Sequence, residues 1–160
     1  MDHLWSPWRY RYVSQTIPEE GCLFCRIAAS SDDHSNYVLL RAKHNYVILN
    51  RFPYTSGHVM VVPYEHRSTP SAYDTETLCE MMQLAIRVQA ALETLYHPDG
   101  YNLGMNIGRA AGAGIAGHIH LHVLPRWIGD TNFMTTTAET RVEPEELEVT
   151  YERLRAALAS

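Results

Sequence analysis

The sequence has no run of about 18 apolar residues, so no membrane-spanning helix is expected. Its start has no basic segment followed by an apolar stretch, and no signal peptide is expected either. Cysteine is scarce: three residues, of which Cys22 and Cys25 form a Cys-x-x-Cys pair. An odd count this low argues against a secreted disulfide framework and points to a reducing, cytoplasmic setting. Positive charge is short as well. Thirteen Lys and Arg stand against 18 Asp and Glu, for a formal net charge of −5. That balance argues against a broad electrostatic grip on nucleic acid, while leaving room for a small local site for a nucleotide anion. There is no internal repeat and no linker, so residues 1–160 are expected to form one domain.

What is present is patterned. Residues 1–20 mix Trp5, Trp8, Tyr10 and Tyr12 with basic residues and suggest an irregular arm packed on the body. Residues 22–30 fit a short helix. Short apolar, β-branched runs bounded by Asn, Pro and Gly predict strands at 36–41, 45–50, 57–63, 101–107 and 118–125. Across 74–96 the period changes. Leu78, Met81, Met82, Ala85, Val88, Leu92 and Leu95 recur three and four apart, which predicts an amphipathic helix capped by Asp74 or Thr75. Cys79 is expected on its core face, as an inert buried thiol. Residues 128–143 read as irregular. A last helix is expected over 144–159, with Pro144 in its first turn and Leu147, Tyr151, Leu154 and Leu158 along one side. Strands, a long helix, more strands and a last helix favour an α+β fold with a mostly antiparallel sheet.

The chemistry concentrates in His118-Ile119-His120-Leu121-His122. On a strand, alternate residues share a face, so the three histidines project together, spaced about 7 Å apart and too far for simple stacking. Three structural histidines, or a metal site without catalysis, are the plain alternatives. Imidazole is also a neutral nucleophile near neutral pH, and facing a phosphate it would give a nucleotidyl-histidine. The preceding loop, Gly108 to Gly114, is rich in Gly and Ala, which lets backbone N–H groups approach phosphate oxygens. Cys22 and Cys25 alone suit a zinc site, a pair of buried thiols or a redox pair.

The run His118-Ile119-His120-Leu121-His122-Val123-Leu124 resembles the signature of the histidine triad (HIT) superfamily. Asn50 to Pro63 resembles its strand-loop-strand, and Cys22-Leu23-Phe24-Cys25 its N-terminal cysteine pair. Trp127 to Met134 is similar to the branch that includes diadenosine tetraphosphate phosphorylases. The resemblance implies an antiparallel sheet of about five strands with one long helix and a C-terminal helix. It implies His120 as nucleophile on the α-phosphorus, His122 as the partner that binds phosphate oxygens, and His58 as support for the nucleophile's ring. Asn50 would bond the ribose hydroxyls, and Asn106 would lie near the phosphates. Cys22, Cys25, His66 and His118 would hold a structural Zn2+. The family usually forms homodimers, so a homodimer acting on an adenine dinucleotide is expected. One position departs: Gly114 stands where many members carry a glutamine that touches the bridging phosphate. Phosphate contacts then fall to the backbone of Gly112, Ala113 and Gly114, to Asn106, or to Arg109 or Asn132. An adenosine phosphoramidase and a non-catalytic, zinc-stabilised nucleotide-binding module are the alternative functions.

Overall fold

A computed structural model describes residues 21–130 and 145–159. Five strands form one antiparallel sheet: β1 (Val38–Arg41), β2 (Asn45–Leu49), β3 (Val59–Pro63), β4 (Gly100–Gly104) and β5 (Leu121–Arg126). Their order across the sheet is β1-β2-β3-β5-β4. Three helices accompany them: α1 (Leu23–Ala29), α2 (Thr75–Tyr96) and α3 (Leu147–Ala159). This is the α+β arrangement that the sequence predicts, an antiparallel sheet of five strands with one long helix and a C-terminal helix. Among the described residues, no helix is long and apolar enough to cross a membrane.

Period-two alternation gives the sheet two unlike faces. Val47 and Leu49 of β2, Val59 and Val61 of β3, and Leu121 and Val123 of β5 point to one side. There they meet Met81, Leu84, Ala85, Val88 and Leu92 of α2 and Tyr151, Leu154 and Leu158 of α3. Tyr46, Ile48, Met60 and Val62 point to the other side, where Phe24 and Ile27 of α1 cover them. Asp74 caps α2 by accepting the Thr77 N–H at 2.7 Å, as anticipated.

Four expectations need correction. β5 begins at Leu121, so His118 and His120 precede the ladder. β3 ends at Pro63, which has no N–H to donate, and the Ile119 N–H turns instead to the Arg67 carbonyl at 2.9 Å. β4 ends at Gly104, leaving 105–107 outside it. The helix phase differs as well: Cys79 is exposed, and Met82 is 48% exposed beside the fully buried Met81. A helix turns about 100° per residue, so neighbouring methionines cannot share one face. The rings of His120 and His122 also lie closer than the expected spacing, their centroids 4.8 Å apart and edge to face. The rings lean toward each other from their backbone positions. The arm 1–20, Pro144, Asn132 and most of 128–143 lie outside the described residues.

Candidate active site

β5 puts Leu121 and Val123 into the helix-covered core, so His120 and His122 fall on the opposite face, beside α1. There they line a cavity of about 430 Å³. Leu23, Phe24, Ile27, Ile48 and Met60 form its apolar wall. Asn50, Asn106, Gly112, Ala113 and Gly114 form the polar end, with the two histidines. Gly112 closes a 3-10 turn, Arg109–Ala111, at φ 83°, a left-handed backbone that glycine adopts without strain.

The ring protons follow from partners that can act in only one sense. The Tyr54 backbone N–H donates to His58 Nδ1 at 3.1 Å, so the His58 proton sits on Nε2. His58 Nε2 then donates to His122 Nδ1 at 2.8 Å, which places the His122 proton on Nε2. That Nε2 is buried and has no partner among the described residues. It is a donor in want of an acceptor. His120 Nδ1 donates to the His118 carbonyl at 3.0 Å, which leaves the lone pair of His120 on Nε2. His118 Nε2 donates to the Pro63 carbonyl at 2.9 Å, which leaves its lone pair on Nδ1. Each imidazole thus has a defined tautomer.

Burial holds the rings neutral. Desolvation, together with the His122 and His120 rings, pushes the His58 pKa down to about 3. Desolvation and His120 take His122 down to about 4. His120 is also lowered by burial, partly countered by the His118 carbonyl.

Next to the cavity, Cys22, Cys25, His66 and His118 bring one ligand atom each within 4.8 Å of all the others. Cys22 Sγ and Cys25 Sγ lie 3.4 and 3.6 Å from His118 Nδ1, and Cys25 Sγ lies 3.4 Å from His66 Nδ1. A tetrahedral zinc with Zn–S of about 2.3 Å and Zn–N of about 2.0–2.1 Å requires S···N edges of about 3.5 Å. The spacing and the two-thiol, two-imidazole donor set therefore fit that ion. The Pro63 carbonyl supplies the outer hydrogen bond that orients a ligating imidazole.

The fold thus gathers His120, His122, Asn50, Asn106, Gly112, Ala113 and Gly114 around one cavity, and the four Cys and His residues into a separate cluster. Asn132 lies outside the described residues. His58 sits elsewhere than expected: its hydrogen bond goes to His122 and not to the ring of His120, because Met60 and His122 are cross-strand partners and His58 lies just before β3. Asn50 donates to His58 Nδ1 at 3.2 Å and accepts the Phe52 N–H at 3.0 Å.

Three residues of the site escape the sequence reading. Phe24 sets its ring 4.9 Å from that of His120. Tyr54 orients His58 and lies against His122, their ring centroids 6.2 Å apart. Gly117 leaves room for His66, since a Cβ there would stand 3.2 Å from its Nε2 and press the ring aside by a few tenths of an ångström. Phe24 between two cysteines and Gly117 beside His118 are the only signals the sequence offers for them.

The family model of the HIT domain matches residues 32–127. A protein of Mycobacterium tuberculosis named AP-4-A phosphorylase is 34% identical over 155 residues, covering 92% of this chain and 79% of that one. Among solved structures, a Zn-bound histidine triad family protein from Mycobacterium smegmatis superposes with a TM-score of 0.71 at 33% identity, covering 87% of this chain and 94% of the other. A hypothetical histidine triad nucleotide-binding protein from Sulfolobus tokodaii gives a TM-score of 0.69 at 28% identity, covering 86% and 92%.

Proposed function

The chain belongs to the HIT domain family, and from that premise we propose that it cleaves a dinucleoside polyphosphate, with diadenosine tetraphosphate as the substrate, through a nucleotidyl group carried on His120. The observation that carries this reading is the pair of complementary ring nitrogens at the cavity. His120 Nδ1–H is tied to the His118 carbonyl, which reserves Nε2 as a nucleophile, and His122 Nε2–H is a buried donor without an acceptor among the described residues.

In the first step the His120 Nε2 lone pair forms a bond to the α-phosphorus, and the bond from that phosphorus to the bridging oxygen breaks. The ATP oxygen leaves with the electron pair of that bond as a phosphate anion, and His122 Nε2–H donates a hydrogen bond to it while keeping its proton. Backbone N–H groups of residues 112–114 hold the charge that develops on the phosphate oxygens. Asn50 and Asn106 position the ribose and phosphates, and the apolar wall takes the base. In the second step an acceptor attacks the adenylyl phosphorus and frees His120. Inorganic phosphate as acceptor gives ADP, and water gives AMP. Identity to an AP-4-A phosphorylase supports phosphate. Gly114 leaves the leaving-group contact to main chain.

We assign a structural zinc ion to Cys22, Cys25, His66 and His118, which accounts for His118 standing apart from the chemistry. The exposed Met82 and Ile86, four residues apart on α2, support a homodimer through that side of the helix. A low cysteine count suits a cytoplasmic setting, and the single sheet with its helices among the described residues supports one domain.

The test follows product release from diadenosine tetraphosphate, with and without phosphate, in the native chain and in His120→Ala. Loss of turnover by about a thousandfold or more is expected in the variant. Added phosphate is expected to raise ADP at the expense of AMP. Undiminished turnover in His120→Ala would sink the assignment of His120 as nucleophile, and absence of turnover in the native chain would leave a nucleotide-binding module in place of an enzyme. Elemental analysis of protein never exposed to chelator is expected to find zinc close to one ion per chain.

A further inference from the structure

The two ends of α1 are held differently. At its C-terminal end the Arg41 guanidinium donates to the carbonyls of Ile27, Ala28 and Ser30 at 3.2, 3.0 and 2.7 Å, and is itself fixed by Asp33 at 2.8 Å. At its N-terminal end Cys22 makes no side-chain capping bond to the first-turn amides. What reaches that end is the cluster, through Cys22 and Cys25, together with the Tyr46 hydroxyl at the Phe24 carbonyl. A helix of seven residues has little stability of its own, so its first turn stays where its neighbours hold it.

The same turn is a wall of the cavity. Leu23, between the two cysteines, lines it at 44% exposure, and Phe24 is buried against the His120 ring. The Tyr46 hydroxyl donates to the Phe24 carbonyl at 3.0 Å, one tie from this turn to the sheet that remains if the cysteines are released. On the far side of the cluster, His118 offers its carbonyl to His120 Nδ1. The wall of the cavity and the ring of the nucleophile are thus both attached to ligands of one cluster.

We infer that zinc in the Cys22, Cys25, His66 and His118 cluster sets the affinity of the cavity for its nucleotide, by clamping the first turn of α1. This rests on the nucleotide-binding reading above. Linkage makes the effect reciprocal: bound nucleotide tightens the metal by the same factor.

The experiment titrates AMP into the zinc-loaded full chain and into chelator-treated chain, with the fold followed by far-UV circular dichroism. Hydrogen exchange reads α1 against β2 and β3. Removing zinc is expected to weaken AMP by about fivefold or more. It is expected to speed exchange in residues 23–29 while the strands stay protected. AMP is expected to slow transfer of zinc to a competing chelator. Phe24→Ala is expected to keep zinc and to shrink the coupling. If AMP binds neither form, the nucleotide reading fails and takes the inference with it. If AMP binds both forms equally, or if the chain takes up no zinc, the inference alone is overturned. Should zinc removal unfold the whole chain, the AMP affinity of zinc-loaded Phe24→Ala decides: weaker binding than in the native chain supports the role of the wall, and equal binding overturns it.

Discussion

The two faces of the sheet use the same strands for different ends. The face under α2 and α3 is filled by aliphatic side chains and Tyr151, most of them less than 5% exposed. The face under α1 is covered in part and carries the cavity, of which α1 forms one wall. β5 serves both, because Leu121 and Val123 alternate with His122, and His120 continues the alternation beyond the end of the strand. Stability and chemistry are thereby divided between neighbouring residues, and substitutions at adjacent positions should have unlike effects.

The widest contrast is between His120 and Leu121. His120→Ala should lower turnover by about a thousandfold or more, equivalent to roughly 4 kcal/mol of barrier, while costing less than about 2 kcal/mol of stability, since one neutral hydrogen bond is lost beside a cavity. Leu121→Ala should do the reverse, with a loss of about 2–5 kcal/mol in denaturant unfolding and a normal rate in whatever fraction stays folded. Comparable loss of stability in both would break the division.

Acid should attack the cavity face first. His58 and His122 titrate near 6.5 when unfolded, and at about 3 and about 4 when folded. Between these values the unfolded chain binds more protons, so stability is full above about pH 6.5 and falls as pH drops, by up to ~1.4 kcal/mol per pH unit for each ring. His58→Gln should flatten that slope when denaturation midpoints at pH 7.5 and 5 are compared. A slope unchanged in the variant would remove the pair as its cause.

The smallest effect belongs to the outward side of α2. Met82→Ser should alter monomer stability by no more than about 0.5 kcal/mol, because that side chain leaves the core untouched. The same substitution should shift the chain toward monomer in sedimentation if this side is the dimer face. An unaltered mass would direct the search for a subunit contact elsewhere.

Much of the fold was readable because the signals are local. β-branched runs stopped by Pro, Gly and Asn mark the strands, a change of period marks α2, and Asp74 marks its start. The alternation of His118, His120 and His122 marked the site. What was not readable depends on partners distant in sequence. β5 starts late because Pro63, 56 residues before Ile119, cannot donate to it. Apolarity alone puts Cys79 and Met82 on the core side of α2, because it does not fix helix phase. The resemblance links His58 to His120, since sequence shows that a supporting histidine exists and does not show which ring it meets. Tyr54 acts through its main-chain N–H, for which no side-chain type is a marker.

Three ring protons in this site are placed by main-chain groups: the N–H of Tyr54 and the carbonyls of His118 and Pro63. Side-chain substitution does not erase such groups. The site therefore separates what can be altered from what cannot. A protein engineer could redraw the base-binding wall at Ile27, Ile48 or Met60 and seek new nucleobases, while the histidines keep the hydrogen placements their chemistry requires.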